Sequence, residues 1–181
     1  MYWYKRLFTY SILFTLSGLY SCKPDIRETG ASLKYFDLKK FIQADTARLN
    51  SLRPLVTKTV AHNHETAQTL QLRISNWGRE LDLFAASDIN KPAWRESYTI
   101  EQAGDSVVYT AKDSKLTTRR MVIQKAGNAV KKIAIQNYSH NILYQATEKL
   151  VYYPDSLYLI DKLQQVRFLG DNQYVIKGKI K

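Results

Sequence analysis

The sequence has little cysteine, glycine or proline, and each shortage excludes a class of structure or chemistry. A single cysteine, Cys22, excludes any disulfide bond within the chain. Only seven glycines are present, and they form no glycine-rich phosphate-binding loop. No Gly-x-Ser-x-Gly nucleophile motif occurs. Glu80 and Asp82, a pair of nearby acids, would point to different faces of a helix. The sequence therefore predicts no enzyme and no cofactor, and a hydrolase is only a distant alternative.

The first 21 residues have the pattern of a secretory leader. Lys5 and Arg6 precede an apolar stretch of about 13 residues that ends at Leu19. That stretch is shorter than the roughly 20 residues that a transmembrane helix needs. A basic start, an apolar middle and a small residue before the cut are typical of secretion signals, and Ser21 supplies the small residue just before Cys22.

The four residues from Leu19 to Cys22, Leu-Tyr-Ser-Cys, resemble the lipobox of a bacterial lipoprotein signal, also called a type II signal peptide. The resemblance implies that the Cys22 thiol is diacylglycerylated, that residues 1–21 are removed, and that acyl chains such as palmitate hold the protein in a membrane. Each buried CH2 contributes about 0.8 kcal/mol, so three acyl chains form a permanent anchor. Two alternatives stay open: an ordinary secretion signal with an incidental cysteine, and a buried or reactive thiol of a cytosolic protein.

Residues 22–32 are polar, contain Pro24 and Gly30, and have no hydrophobic period. This composition predicts a tether between the lipidated cysteine and a single domain over residues 33–181. Lys23 and Asp25 resemble the charged tether of surface-exposed lipoproteins of the Bacteroidota. The order of the predicted elements, given below, resembles uncharacterised lipoproteins of the same group, and that resemblance implies no site residues. A cell-envelope location is therefore expected, with the outer membrane favoured, and the face of the membrane that carries the protein stays open.

The chain without its leader carries 25 basic and 16 acidic side chains, a net charge of +9. Positive charge attracts phosphates, either of nucleic acid or of lipid head groups. Because secretion separates the protein from nucleic acid, the expected partners are the membrane itself, anionic lipid or another envelope protein. Basic residues are dense over residues 112–132 and recur at Lys177, Lys179 and Lys181. We expect them on the solvent face of a sheet, with the last three protecting an edge strand.

Two helices are predicted from apolar spacing. Residues 33–52 form the first, with Ser32 as its cap, and Pro54 ends it. Residues 76–87 form the second, with Ser75 or Asn76 as its cap. We expect residues 88–94 not to continue this helix because they contain Pro92.

Alternating apolar and polar residues predict strands over most of the remaining chain. Two strands, residues 55–61 and 66–74, form an N-terminal hairpin. Short turns separate the later strands, so neighbours should pair antiparallel. The predicted fold class is α+β: two helices, an N-terminal hairpin and a long, curved antiparallel meander. In outline this resembles the half-barrels of lipoprotein carriers. The later predicted strands are 97–102, 106–112, 118–125, 129–138, 142–153, 157–169 and 173–180, with turns at 139–141 and 170–172 among those between them.

His62, His64 and Glu65 are the only close group of metal-ligand types. They lie in a predicted turn, and His140 is the only other histidine. We therefore interpret the group as a polar hairpin tip and predict no metal.

Aromatic residues are the remaining candidates for ligand contact. Tyrosine is frequent, and tryptophans flank the second helix. Exposed rings can stack on sugars or line an apolar pocket. Ordinary filling of half-buried strand positions explains them equally well, and the sequence favours that explanation. The candidate contacts are Trp77, Trp94, Tyr144, Tyr152 and Tyr153.

These observations predict a membrane-anchored cell-envelope lipoprotein with a non-enzymatic binding or structural domain. The alternative is a carrier whose curved sheet and helices enclose an apolar ligand, such as a lipid or acyl chain. A carrier would need a cavity between sheet and helices, whereas a binding domain can use its surface.

Overall fold

The computed structural model describes residues 33–63, 65–167 and 170–181. The predicted leader, Cys22, the tether and His64 lie outside the described residues. The described helices are α1 (Leu38–Leu52), α2 (Trp77–Glu80), α3 (Asp82–Ala86) and a 3-10 turn (Pro92–Trp94). The described strands are β1 (Leu55–His62), β2 (Gln68–Arg73), β3 (Tyr98–Ala103), β4 (Ser106–Ala111), β5 (Thr118–Ala126), β6 (Ala129–His140), β7 (Tyr144–Tyr153), β8 (Leu157–Val166) and β9 (Gly170–Ile180).

Helix α1 begins later than the sequence predicts. The carboxylate of Asp37 accepts a hydrogen bond from the backbone N–H of Lys40 at 3.0 Å, so Asp37 is the cap and the prediction of Ser32 is wrong. Tyr35 explains why the preceding residues are not helical. Its ring is buried, and its hydroxyl donates to the backbone carbonyl of Arg95 at 2.6 Å. This tertiary contact holds the segment away from a helical path.

The predicted second helix is two short helices. Asn76 caps the first, as predicted, because its side-chain oxygen accepts from the backbone N–H of Arg79 at 3.0 Å. Leu81 departs from helical geometry and separates α2 from α3. Trp77, Leu81 and Phe84 are fully buried, which confirms the predicted apolar stripe. The break is compatible with burial of all three side chains.

All nine strands form one antiparallel sheet in the order β2-β1-β9-β8-β7-β6-β5-β4-β3. Strands β3 to β9 are a consecutive meander, as the sequence predicts, and the β1–β2 hairpin extends the sheet beyond β9. Strand β9 is therefore internal, and the prediction that its lysines protect an edge is wrong. The N-terminal hairpin occupies that edge because β1 pairs with β9 from Val56 to His62.

Two predicted turns are displaced. Strand β6 continues through His140, and the side chain of Asn141 accepts from the backbone N–H groups of Leu143 and Tyr144 at 2.8 and 2.9 Å. The turn is therefore at residues 141–143 and not at 139–141. Residues 170–172 belong to β9, paired with residues 164–166 of β8. Tertiary pairing extends both ladders past residues that locally favour turns.

One face of the sheet packs against the helices, and we call it the inner face. Its central part, which we call the packed half, consists of two cross-strand rows of largely apolar side chains. Leu38, Ile42 and Trp77 of the helices are buried in the same cluster. Burying a large apolar side chain contributes about 1.5–3 kcal/mol, so this cluster dominates stability. The two rows contain Tyr109, Met121, Ile135, Leu150 and Ile160, and Ile123, Ile133, Tyr152, Tyr158 and Gly178.

Gly178 is required by this packing. A Cβ at position 178 would lie 2.0 Å from Cε1 of the Tyr158 ring, and real Cβ atoms essentially never come this close to another heavy atom. The ring of Tyr158 therefore occupies the space above Gly178. It also meets the indole of Trp77 edge to face, with 6.1 Å between ring centroids.

Two tyrosine hydroxyls of the packed half are bound to carboxylates of the helices. Tyr152 donates to Asp45 of α1, and Tyr158 donates to Glu80 of α2 at 2.6 Å. Glu80 also pairs with Lys58 of β1, with 2.6 Å between Nζ and Oε1. Burial raises the pKa of both phenols above its ordinary value, and the hydrogen bonds to the carboxylates raise it further. These bonds satisfy the polar ends of rings that are otherwise buried.

The opposite face, which we call the outer face, is mostly exposed or half-buried, and Val108 of β4 is a buried exception. Arg120, Lys149, Lys177 and Lys179 are exposed there, which confirms that basic residues occupy a solvent face. No helix among the described residues is long and apolar enough to cross a membrane.

Candidate binding site

Beyond the packed half, the inner face changes from apolar to polar. Residues an even number of positions along a strand from the packed rows point to the same face, because side chains alternate along a strand. Thr118 joins them through a register shift between Thr118 and Arg120, which pairs it with Asn137. There the register aligns polar and aromatic residues across six strands, over a distance of roughly 24 Å. We call this line the polar row; it contains Thr118, Asn137, Glu148, Lys162, Tyr174 and His62.

One end of the polar row lies against the end of α3. The hydroxyl of Thr118 donates to the backbone carbonyl of Ser87 at 3.1 Å. The amide nitrogen of Asn137 donates to the hydroxyl oxygen of Ser87 at 2.8 Å. Ser87 itself donates to the carbonyl of Leu83 at 2.7 Å. Ser87 therefore marks the place where helix cover meets the polar residues of the sheet.

Asn137 has an oxygen without a partner. Its side-chain nitrogen donates to Ser87 and, at 3.1 Å, to Oε2 of Glu148. The residue is only 6% exposed, and its buried side-chain oxygen accepts no hydrogen bond from another described residue. Leaving a buried polar group unpaired costs about 1–3 kcal/mol. A donor from a water or from a bound molecule would remove that cost.

Glu148 and Lys162 form the centre of the row. The ammonium group of Lys162 lies 2.9 Å from Oε1 of Glu148, and Lys162 is the more exposed partner. The other carboxylate oxygen accepts from Asn137, so Glu148 connects a buried amide to a solvent-accessible ammonium group. The two charges cancel, which leaves the centre of the site neutral and rich in hydrogen-bonding groups.

Tyr174 and His62 form the far end of the row. Their rings stack, with centroids 4.5 Å apart and an interplanar angle of 22°. The side chain of Asn172 joins them, because its oxygen lies 2.7 Å from Nε2 of His62 and its nitrogen donates to the Tyr174 hydroxyl at 3.2 Å. Tyr174 is 39% exposed, so part of its surface is available to a ligand.

A second line of side chains lies beside the polar row on the inner face. Ser139 is paired with Ala146, Ala146 with Gln164, and Gln164 with Asn172. Ala146 is buried, whereas the other three are half-buried. This part of the face therefore presents a small apolar position among hydroxyl and amide groups.

The structure does not bring the five predicted aromatic contacts together. Trp77 and Tyr152 are fully buried and pack in the core, so both fill space inside the domain. Tyr153 lies on the outer face, where Lys132 Nζ is 5.5 Å from its ring centroid. Trp94 is half-buried beneath Lys91 and next to Tyr98. Tyr144 is 37% exposed and begins β7, at the opposite end of that strand from Tyr152 and Tyr153.

The two described histidines lie on different strands. His62 belongs to the polar row, and His140 ends β6. The Nδ1 atom of His62 lies 3.4 Å from a carboxylate oxygen of Glu65. Within the described residues no group of three or more histidine, cysteine, aspartate or glutamate side chains is placed to hold a metal ion.

A cavity of about 110 Å³ opens on the outer face. Ligand pockets for drug-sized molecules are usually about 300–1,000 Å³, so this cavity is small for such a ligand. It is also separated from the polar row by the thickness of the sheet. Its lining residues are Thr147, Lys149, Asp161, Leu163 and Gln173.

Sequence reasoning did not find Asn137, Glu148, Lys162 or Tyr174. Strand alternation places each of them on the same face as its apolar neighbours two residues away. Only the register between distant strands shows that they are adjacent, since Asn137 and Tyr174 come from widely separated parts of the chain.

The fold and the site define a class: an α+β domain with one antiparallel sheet, helices on one face and a polar extension of that face. No protein-family model, no curated protein and no solved structure matches the chain.

Proposed function

We propose that this protein is a lipid-anchored component of the bacterial cell envelope, located at the outer membrane, whose domain binds a partner without catalysing a reaction. The anchor is Cys22, which follows a basic and apolar leader. The binding surface is the polar row with the side chains beside it. The unpaired oxygen of Asn137, next to the Glu148–Lys162 pair, is the observation that carries the binding role.

The polar row supports binding because folding alone does not explain it. The Glu148–Lys162 pair adds little to the free energy of unfolding, since partly exposed ion pairs contribute about 0–1 kcal/mol. An unpaired buried oxygen is a cost to the folded state. Polar groups that contribute little to stability and lie beside exposed aromatic surface are typical of recognition sites.

The space between the sheet and the helices is filled by side chains. In the packed half, Leu38, Trp77 and Phe84 of the helices are fully buried. We therefore prefer a surface binding role to a carrier that encloses an acyl chain.

The anchor is tested with Cys22→Ser. The parent protein should take up a radiolabelled fatty acid and stay with the membrane fraction, whereas the variant should do neither. Thr29→Ser, in the tether outside the Leu19–Cys22 segment, is the control and should retain the label. A parent protein that takes up no label, or a variant that stays membrane-bound, contradicts the anchor at Cys22.

The binding role is tested by photocrosslinking in cells. A benzophenone amino acid replaces Gln164, which lies on the inner face beside the polar row, or Gln136, which is exposed on the outer face. We expect a discrete adduct from position 164 only, and we expect Lys162→Met to reduce its yield severalfold. Equal yields at both positions, or no adduct at either, contradict the proposed surface.

A further inference from the structure

We infer that the end of the sheet that carries Ile142 and Leu143 inserts into the surface of the bilayer. This end, which we call the Ile142 end, comprises the β4–β5 connection (residues 112–117), the β6–β7 connection (residues 141–143) and the first described residues of the domain. The inference goes beyond the proposed function, and it rests on that proposal only for the identity of the membrane.

Two consecutive apolar side chains are exposed at the tip of the β6–β7 connection. Ile142 is 84% exposed and Leu143 is 62% exposed. Tyr144 follows them and is partly exposed, with its phenol available at the same tip. Large aliphatic side chains side by side in water are unfavourable, whereas tyrosine favours the interface between water and lipid. Ile142 and Leu143 could therefore enter the apolar part of the bilayer while Tyr144, which follows them, lies at the interface.

The tip is an ordered turn. The side-chain oxygen of Asn141 accepts from the backbone N–H groups of Leu143 and Tyr144 at 2.8 and 2.9 Å. The backbone N–H of Asn141 donates to the carbonyl of Tyr144 at 2.8 Å, and that of Arg167 donates to the carbonyl of Leu143 at 3.0 Å. These four bonds pair the backbone N–H groups of Asn141, Leu143 and Tyr144 and the carbonyls of Leu143 and Tyr144, which reduces the amount of polar backbone that insertion would desolvate.

Cationic side chains lie at the same end of the sheet. Lys112 and Lys115 are exposed in the β4–β5 connection, and the guanidinium of Arg119 lies 5.2 Å from the ring centroid of Tyr138. Asp113 is the one acid within that connection, and it accepts from the backbone N–H of Lys115. A surplus of positive charge beside an apolar tip complements a surface of anionic lipid head groups. Charge complementarity therefore favours a bilayer over another protein as the occupant.

The domain also begins at this end. Lys34 pairs with Glu96 just before β3, and Lys112 donates to the backbone carbonyl of Glu96 at 3.0 Å. Leu33 is thus close to the β4–β5 connection. The 11 residues 22–32 can extend at most about 36 Å from the anchor at Cys22. Such a short connection favours an orientation in which this end approaches the lipid.

A lipid-borne quencher tests the inference in the full, lipid-anchored protein. An environment-sensitive fluorophore is attached to Leu143→Cys and, as the matched control, to Leu70→Cys, because Leu70 of β2 is a leucine with a similar exposure of 65%. The proteins are reconstituted into vesicles of phosphatidylethanolamine with phosphatidylglycerol and a brominated lipid. We expect a blue shift and strong quenching at position 143, and neither at position 70.

The outcomes separate this inference from the anchor. Intact mass is measured first; an acylated protein without quenching at position 143 overturns insertion and leaves the anchor in place. If Cys22 carries no acyl group, the two variants are remade with Cys22→Ser so that the label stays at position 143 or 70. These proteins are added to the vesicles from solution, and absence of quenching at position 143 there also overturns insertion. The labelled protein is also measured in native envelopes. A blue shift there, together with no quenching in the vesicles with brominated lipid, would mean that a protein covers the tip. That outcome also contradicts the inference. Replacing phosphatidylglycerol with phosphatidylcholine should weaken quenching severalfold.

Discussion

The inner face of the sheet has two halves that are built by the same strands and differ in what they contribute. In the packed half, rings such as Tyr158 and Tyr152 are fully buried beneath the helices, and their hydroxyls are bound to carboxylates. In the polar row, Tyr174 is partly exposed and Asn137 keeps an unpaired oxygen. We propose that this difference separates stability from recognition along the strands. We expect substitutions in the packed half to change the free energy of unfolding and substitutions in the polar row to change binding.

The largest effect is expected from Trp77→Ala. The indole is fully buried between the helices and the sheet, and its removal leaves a cavity. Substitutions of this kind cost about 3–5 kcal/mol of unfolding free energy, which denaturant titration measures. Trp94→Ala is the control: Trp94 is only half-buried, so its loss should be clearly smaller. Equal losses for the two tryptophans would contradict the placement of the core.

Gly178→Ala should have the next largest effect. The added methyl group would overlap the ring of Tyr158, which is held in place by Trp77 and Glu80. Overpacking of this kind costs about 1–3 kcal/mol, and a shift of the thermal midpoint would report it. Lys177→Ala, one residue away on the outer face, should leave the midpoint nearly unchanged. A stable Gly178→Ala protein would mean that Tyr158 does not occupy this space.

The packed half should also give the domain a characteristic loss of stability at high pH. Burial raises the pKa of Tyr152 and Tyr158 above the ordinary value of about 10, so above that pH the unfolded chain loses protons that the folded chain retains. Stability is unaffected by these groups below pH about 10 and falls as the pH rises further, by at most about 1.4 kcal/mol per pH unit for each phenol. Tyr152→Phe should make this dependence less steep in alkaline denaturation curves, and an unchanged dependence in this variant would contradict the burial of its phenol.

The smallest change in stability is expected in the polar row. Lys162→Met removes the partner of Glu148, but the pair is partly exposed and its contribution is screened by solvent. The free energy of unfolding should change by less than about 1 kcal/mol, while the crosslinking yield from position 164 falls severalfold. Lys149→Met, on the outer face of β7, should change neither quantity. A large loss of stability in Lys162→Met would show that the Glu148–Lys162 pair stabilises the fold, and it would contradict the proposed role of the pair in recognition.

The sequence predicts the strands of the meander well because each one alternates and short turns separate them. It predicts caps and turns less well where contacts between distant residues decide the structure. The hydrogen bond of Tyr35 to Arg95 keeps the residues before α1 out of the helix. Pairing with β8 places Gly170 in β9, where the sequence predicts a turn. The candidate site could not be predicted, because Asn137, Glu148 and Lys162 become neighbours only through the register of β6, β7 and β8. Both Tyr152 and Tyr144 are tyrosines with the same hydropathy, yet Tyr152 is fully buried and Tyr144 is exposed.

A paired measurement on two tyrosines tests the separation of the halves most directly. Tyr158→Phe removes a hydroxyl of the packed half, and Tyr174→Ala removes an exposed ring of the polar row. For each variant, the free energy of unfolding and the crosslinking yield from position 164 are measured together. We expect Tyr158→Phe to lose about 1–2 kcal/mol and keep its crosslink, and Tyr174→Ala to lose less than about 1 kcal/mol and most of its crosslink. A Tyr174→Ala protein that unfolds readily while the surviving folded molecules crosslink normally would contradict the account.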